Sequence, residues 1–265
     1  MALRELRDAT LAGGSYGFTA AVLSHPLDTL KTRAQLSRPH STGISALYQG
    51  FVPAATGSVL FRAVPFVAYG VGTARIREGF PLFAEAHPLP VAAAAGSFAG
   101  LVRALLESPL EVIKVRRQAA RLGSRYEAWS STPLWAGVGW CAVRNASLIG
   151  LFWVTLEASK ESLAAALPGP VAVSFVGGGG CSVVAWAVAY PLDVLKSRAQ
   201  AASEPASGGS CEAGDPKART AGWGFRGLYR GLGFGLARTF VANGAAMVIY
   251  DAVRDALLCQ PPPPE

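Results

Sequence analysis

The 265-residue chain is 51% hydrophobic but only 15% charged, and it carries 30 glycines. So little charge with so many small residues fits membrane helices that approach closely better than a soluble globule with a large core. The net charge of +7 does not mark a nucleic-acid binder, because no basic run is interleaved with aromatics and most Lys and Arg stand at the ends of apolar segments.

In chain order, six apolar stretches are each long enough to cross a bilayer, which takes about 20 helical residues. They are predicted at 8–36, 51–79, 90–118, 138–166, 170–200 and 232–258. Each has a Gly/Ala/Ser face, as expected of helices around a polar interior. The connecting segments 37–50, 119–137 and 201–230 collect Pro, Ser and charge and read as loops on one side, 201–222 as a flexible one. The terminal PPPPE cannot be helical. MALRELRDAT lacks an apolar core ahead of a cleavage site, so no secretory signal is expected. Cysteines 141, 181, 211 and 259 have no zinc or CxxC spacing and read as free thiols. No metal or cofactor is expected. The run Gly177–Gly180 lacks the following Lys-Ser/Thr and the preceding strand of a phosphate loop, and reads as close helix packing.

The first, third and fifth stretches share a motif: HPLDTLKTRAQ (25–35), SPLEVIKVRRQ (108–118) and YPLDVLKSRAQ (190–200). Pro26, Pro109 and Pro191 are spaced by 83 and 82 residues. Each is followed by an acid at two residues, bases at five and seven, and a glutamine at nine (Gln35, Gln118, Gln200). A second marker, aromatic-x-Gly, ends at Gly50, Gly137 and Gly231, and counting 20 residues onward reaches Gly70, Glu157 and Asp251. Two markers in register define three repeats, at 1–85, 86–168 and 169–265, each of two transmembrane helices.

An acid and a base three residues apart share one helix face, and in a bilayer such charges must pair or face water. Three helices offering them at one height can close a ring of ion pairs, with each proline bending its helix toward the common axis. Such a ring is a gate. The plainer alternative is three helix ends with charges among lipid headgroups, which the shared register disfavours.

The motifs PLDTLKTR, PLEVIKVR and PLDVLKSR resemble those of the mitochondrial carrier family, and the likeness covers nearly the whole chain. It implies an all-α membrane protein, with six transmembrane helices in a pseudo-threefold barrel that works by alternating access in the mitochondrial inner membrane. It further implies matrix-side pairs of Asp28 with Lys114, Glu111 with Lys196 and Asp193 with Lys31, braced by the three glutamines. A second gate, aromatic-acid-x-x-base, is implied on the even helices toward the intermembrane space. Tyr250-Asp251-x-x-Arg254 fits it, and Glu157-x-x-Lys160 fits apart from Leu156 in the aromatic place. The first repeat departs, with Gly70 for the acid and Thr73 for the base. By the cyclic pairing only Glu157 with Arg254 remains, so the outer gate is expected to be weak.

The family's contact positions, about 13 and 12 residues before that acid, fall on Gly57 and Ser58, Arg144 and Asn145, and Arg238 and Thr239, with Asn243 offering a further hydrogen bond. Arg144 and Arg238 lie inside apolar stretches, several turns from the far end, where a guanidinium suits a substrate carboxylate. Arg62 and Arg103 are secondary candidates. YQGFVPAATGS is similar to the S-adenosylmethionine carriers; AGLVRALLESPLEVIKVR and ARTFVANGAAMVIYD are similar to the carnitine and basic amino-acid branch. Both handle compounds that join a carboxylate to a cationic group, and transport by exchange is expected here. Asn145 departs from these branches, which place an acid after that arginine. The implied partners are a small-molecule substrate and membrane lipid, cardiolipin on the matrix side included, with no nucleic acid, for a monomeric carrier. A transport-dead adaptor with the same fold, a uniporter or channel-like relative, and a carrier of an unrelated anion remain open. An enzyme is not expected, since His25, His40 and His87 stand near no plausible nucleophile.

If the pairing holds, Asp193→Lys combined with Lys31→Asp retains more liposome uptake than either single change. A double variant no better than the worse single one would show these side chains to be unpaired.

Overall fold

The computed structural model describes residues 3–35, 47–48, 51–121, 138–202 and 232–259. The described chain is helical throughout and folds as α1 (Leu3–Gln35), α2 (Phe51–Gly79), the short α3 (Pro81–Ala86), α4 (Pro88–Arg121), α5 (Val138–Ala166), α6 (Pro170–Ala202) and α7 (Leu232–Leu258). The six long helices fall on the six predicted stretches, and α2, α5 and α7 share their ends with the prediction. The terminal PPPPE and most of the predicted loops lie outside the described residues.

Each long helix packs on the next, α1 on α2, α2 on α4, α4 on α5, α5 on α6 and α6 on α7; α7 then returns to α1 and closes a ring. By length and apolar composition alone, Ala55–Gly79, Pro88–Ser108 and Pro170–Leu192 qualify as membrane spans among the described residues. Stretches of the other three helices carry more charge, in α5 Arg144, Glu157 and Lys160 and in α7 Arg238, Asp251 and Arg254.

The apolar side chains are distributed inside out. Phe18, Leu60, Leu101, Leu105, Val143, Val188 and Val241 point outward and are exposed, one or more on every long helix. The buried seams are mostly alanine, including Ala12, Ala20, Ala92, Ala99, Ala104, Ala185 and Ala246. Hydrocarbon around a membrane protein is as apolar as leucine, so helices gain by close approach rather than by burying large side chains. Gly17 and Gly100 are two of the close approaches. A Cβ on Gly17 would stand 2.8 Å from the Ser58 carbonyl oxygen, and one on Gly100 would meet the backbone of Asn145 and Ala146. The two glycines stand nine residues before Pro26 and Pro109, the same position of two repeats. Between α5 and α6, Gly169 takes the left-handed φ of +83° that its turn requires.

Pro26 and Pro191 lie within continuous helices; the side chain of Pro109 lies outside the described residues. Pro26 has no N–H, so the Val22 carbonyl one turn back loses its helical partner. Tyr48 replaces it, its hydroxyl donating to the Val22 oxygen at 3.2 Å. The Tyr48 ring also packs on His25 and Phe51, with centroids at 6.0 and 5.6 Å. Tyr48 is the aromatic of the first aromatic-x-Gly marker, so in the first repeat the two markers are one structural device. A backbone carbonyl inside a membrane protein must find a donor somewhere, and here the repeat supplies it.

Tyr48→Phe keeps the ring and removes the donor. It should lower stability by about 1–2 kcal/mol, read as a fall of a few degrees in the unfolding temperature of the purified protein. An unchanged midpoint would show that the Val22 carbonyl does not need this bond.

Candidate functional site

A cavity of about 360 Å³ lies inside the ring, lined from all six long helices. Such a volume suits a small-molecule guest. Its polar wall consists of Arg62 of α2, Arg103 of α4, Arg144 of α5, Arg238, Thr239 and Asn243 of α7, with Tyr16 of α1 and Ser182 of α6. Four arginines and no acid line it among the described residues. Guanidinium groups brought together away from bulk water repel one another, so a guest bearing negative charge is favoured there.

Arg144, Arg238, Thr239 and Asn243 therefore stand together where the sequence places them, and Arg62 and Arg103 join them. Arg62 donates from Nη1 to Asn243 Oδ1 at 2.8 Å and lies over the Tyr16 ring, 5.7 Å from its centroid. Arg62 and Asn243 each stand eight residues before the acid position of the even helix, at Gly70 and Asp251. That shared register is a signal the sequence carried for Arg62. Tyr16 and Trp186 had none, since an aromatic on an apolar helix reads equally well as packing.

Three expected contacts lie elsewhere. The Ser58 hydroxyl donates to the Gly17 carbonyl at 3.0 Å and so joins α2 to α1, at the seam that Gly17 makes close. Gly57 has open space where a side chain would start but does not line the cavity. Asn145 is fully buried between α5 and α4. Its amide donates from Nδ2 to Glu107 Oε2 at 3.1 Å, and its Oδ1 accepts from Arg144 Nη1 at 3.2 Å. Glu107 also accepts from Arg103, Nε to Oε2 at 3.1 Å and Nη2 to Oε1 at 3.5 Å. Asn145 thus faces the packing seam because an acid across it has unsatisfied lone pairs. Glu107 was not foreseen, since an acid two residues before a helix-breaking proline reads as a helix end.

At the outer motifs the charges pair within their own helices. Lys160 meets Glu157 at 2.6 Å, and Arg254 approaches Asp251 at 3.8 Å and Asp255 at 3.6 Å. The expected Glu157–Arg254 bridge is absent from the described ion pairs, and Ser174 of α6 donates to Asp251 at 2.6 Å instead. The even helices nevertheless meet across the interior, through rings. Tyr69 of α2 stacks on Trp153 of α5 with centroids 3.6 Å apart and planes 2° apart. Phe66 of α2 packs against Trp153 at 5.6 Å and Tyr250 of α7 at 4.4 Å. Phe66 and Trp153 also line the cavity, so this layer borders it on the side of the outer motifs. Ring contacts bring no charge out of water, whereas an exposed ion pair adds little.

For the expected matrix gate, the backbones of Asp28, Lys31, Gln35, Glu111, Lys114, Gln118, Asp193, Lys196 and Gln200 belong to α1, α4 and α6, and their side chains lie outside the described residues.

Comparison with known proteins agrees with this architecture. The profile described as mitochondrial carrier protein matches residues 5–78 and 168–260. The chain is 30% identical to the mitochondrial arginine transporter BAC2 of Arabidopsis thaliana, over 96% of this chain and 93% of that protein. It is 32% identical to the mitochondrial S-adenosylmethionine carrier protein of Xenopus laevis, over 97% of this chain and 100% of that protein. It is 27% identical to the mitochondrial basic amino acids transporter of Homo sapiens, over 92% and 88%. The chain belongs to the mitochondrial carrier family.

If the stack holds α2 to α5, a double-mutant cycle with Tyr69→Leu and Trp153→Leu should give a coupling of about 1 kcal/mol in thermal unfolding of the purified protein. Additive effects of the two changes would mean that the rings merely lie side by side.

Proposed function

We propose that this carrier moves a small metabolite bearing a carboxylate and an amine, of amino-acid or S-adenosylmethionine type, across the mitochondrial inner membrane by alternating access and exchange. The observation that carries the reading is the arginine-lined cavity. Arg144 and Arg238 occupy the same position in the second and third repeats, 13 residues before Glu157 and Asp251, and Gly57 holds it in the first. Arg62 supplies the cationic group on the side of the first repeat, so guanidinium groups reach the cavity from every repeat and suit a guest with an anionic head. A guanidinium can grip a carboxylate at two points, which an ammonium cannot. The relatives named for arginine, basic amino acids and S-adenosylmethionine support the same class of guest.

In this reading Asp28, Glu111 and Asp193 pair with Lys114, Lys196 and Lys31 to close the matrix side. With the family's orientation, the Phe66–Tyr69–Trp153–Tyr250 layer faces the intermembrane space. Closure there rests on ring packing, and the guest draws the even helices together by binding between Arg144 and Arg238.

A second reading rests on the same wall. Four arginines with no lining acid also suit a guest of net negative charge, such as a dicarboxylate or a phosphate ester.

Purified protein in liposomes should take up at least one of labelled arginine, ornithine, carnitine or S-adenosylmethionine. Arg144→Lys and Arg238→Lys should each lower that uptake by tenfold or more, with the unfolding temperature unchanged. Decarboxylated analogues should compete poorly. Normal uptake by both variants, or equal competition by a decarboxylated analogue, would remove the carboxylate grip. Uptake of malate or phosphate alone would establish the second reading.

A further inference from the structure

Glu107 does not itself line the cavity but is held directly by the lining Arg103. Its side chain is 15% exposed and that of Arg103 22%. Desolvating a carboxylate to this extent is costly, and pairing with an arginine one turn away on the same helix seldom repays the loss of water in full. Stability alone therefore gives little reason to keep the pair. Symmetry points the same way. Positions equivalent to Glu107, two residues before the motif proline, hold Ser24 and Ala189, and those equivalent to Arg103 hold Ala20 and Ala185. A gate shared by three repeats needs matching residues in each, whereas an asymmetric guest needs a group in one.

The pair has the form of the guest it would receive. In an α-amino acid a carboxylate and an ammonium stand two bonds from each other, and Arg103 with Glu107 presents the complementary guanidinium and carboxylate. Exchanging the internal pair for two pairs with the guest, guanidinium to guest carboxylate and Glu107 to guest ammonium, leaves every buried charge balanced. Asn145 keeps Glu107 in place during that exchange. Its Nδ2 holds Oε2 at 3.1 Å while its Oδ1 accepts from Arg144, so the acid and a second lining arginine share one fully buried amide.

We propose that Glu107 receives the α-ammonium of an amino-acid-headed guest in exchange for Arg103, with Asn145 as its positioning residue. The proposal rests on the amino-acid reading above and adds the amine site. Wild type and variants in liposomes are assayed with labelled L-ornithine, L-arginine and S-adenosylmethionine, each competed by itself and by the analogue lacking only the α-amino group. Wild type should prefer the parent by about tenfold or more, the worth of one charge-assisted contact. Glu107→Gln should bring that ratio close to one while the carboxylate analogue still competes. Moving the acid across the seam, Glu107→Gln with Asn145→Asp, should restore the preference, which a merely structural role would not. If Glu107→Gln fails to accumulate, Glu107→Asp, with the acid withdrawn by one methylene, should weaken the parent but not its analogue. An unchanged ratio in Glu107→Gln, or in Glu107→Asp where that variant stands in, overturns the amine site and leaves the amino-acid reading intact. Wild type that takes up none of the three compounds overturns the amine site, and wild type that takes up no carnitine either overturns both.

Discussion

A cation inside a bilayer must be wet, paired or absent, and that constraint shapes this molecule. Arg62, Arg103, Arg144 and Arg238 lie on four different helices, yet all turn to one cavity. The outward faces of the same helices are apolar, so a guanidinium directed there would meet hydrocarbon. The ring of helices lets charge be concentrated inside while lipid is met outside. The concentration of positive charge in turn sets what the cavity can accept. The inward arrangement therefore rests on one requirement, that these charges have an aqueous or anionic partner.

The close seams follow from the same geometry. Six helices around a narrow interior must touch along their lengths, and large side chains at those lines would widen the ring. Gly17 and Gly100 and the buried alanines keep the backbones near one another. Short distances also let side chains bond across a seam, as Ser58 does to the Gly17 carbonyl and Asn145 to Glu107. Small residues thus control which polar groups are spent on packing and which remain for a guest.

The two ends of the barrel are built on different principles. On one side the sequence repeats an acid, two bases and a glutamine three times without a departure. On the other, the charged motif is incomplete, its charges pair within their own helices, and the rings of Phe66, Tyr69, Trp153 and Tyr250 carry the contact between repeats. Ring packing tolerates small shifts and needs no exact partner at each position. Contacts of that kind form even though Gly70 and Thr73 replace an acid and a base.

The sequence by itself determined the six helices, their threefold register and the placement of Arg144 and Arg238. Periodic motifs and apolar length are local properties, and pseudo-symmetry converts spacing along the chain into height along an axis. Pro26 and the aromatic-x-Gly marker were legible as signals, but their connection was not. The bond from Tyr48 to the Val22 carbonyl spans 26 residues and depends on how the chain folds back. Only the tertiary structure decided which polar residues face the cavity. A helix position fixes a direction to within a turn, and the neighbour that lies there belongs to another helix. Asn145 and Ser58 had the right spacing for a guest and were drawn into seams, because Glu107 and the Gly17 carbonyl stood opposite them. Arg62 and Arg103 faced inward for the reverse reason, since the interior was the available place for their charge.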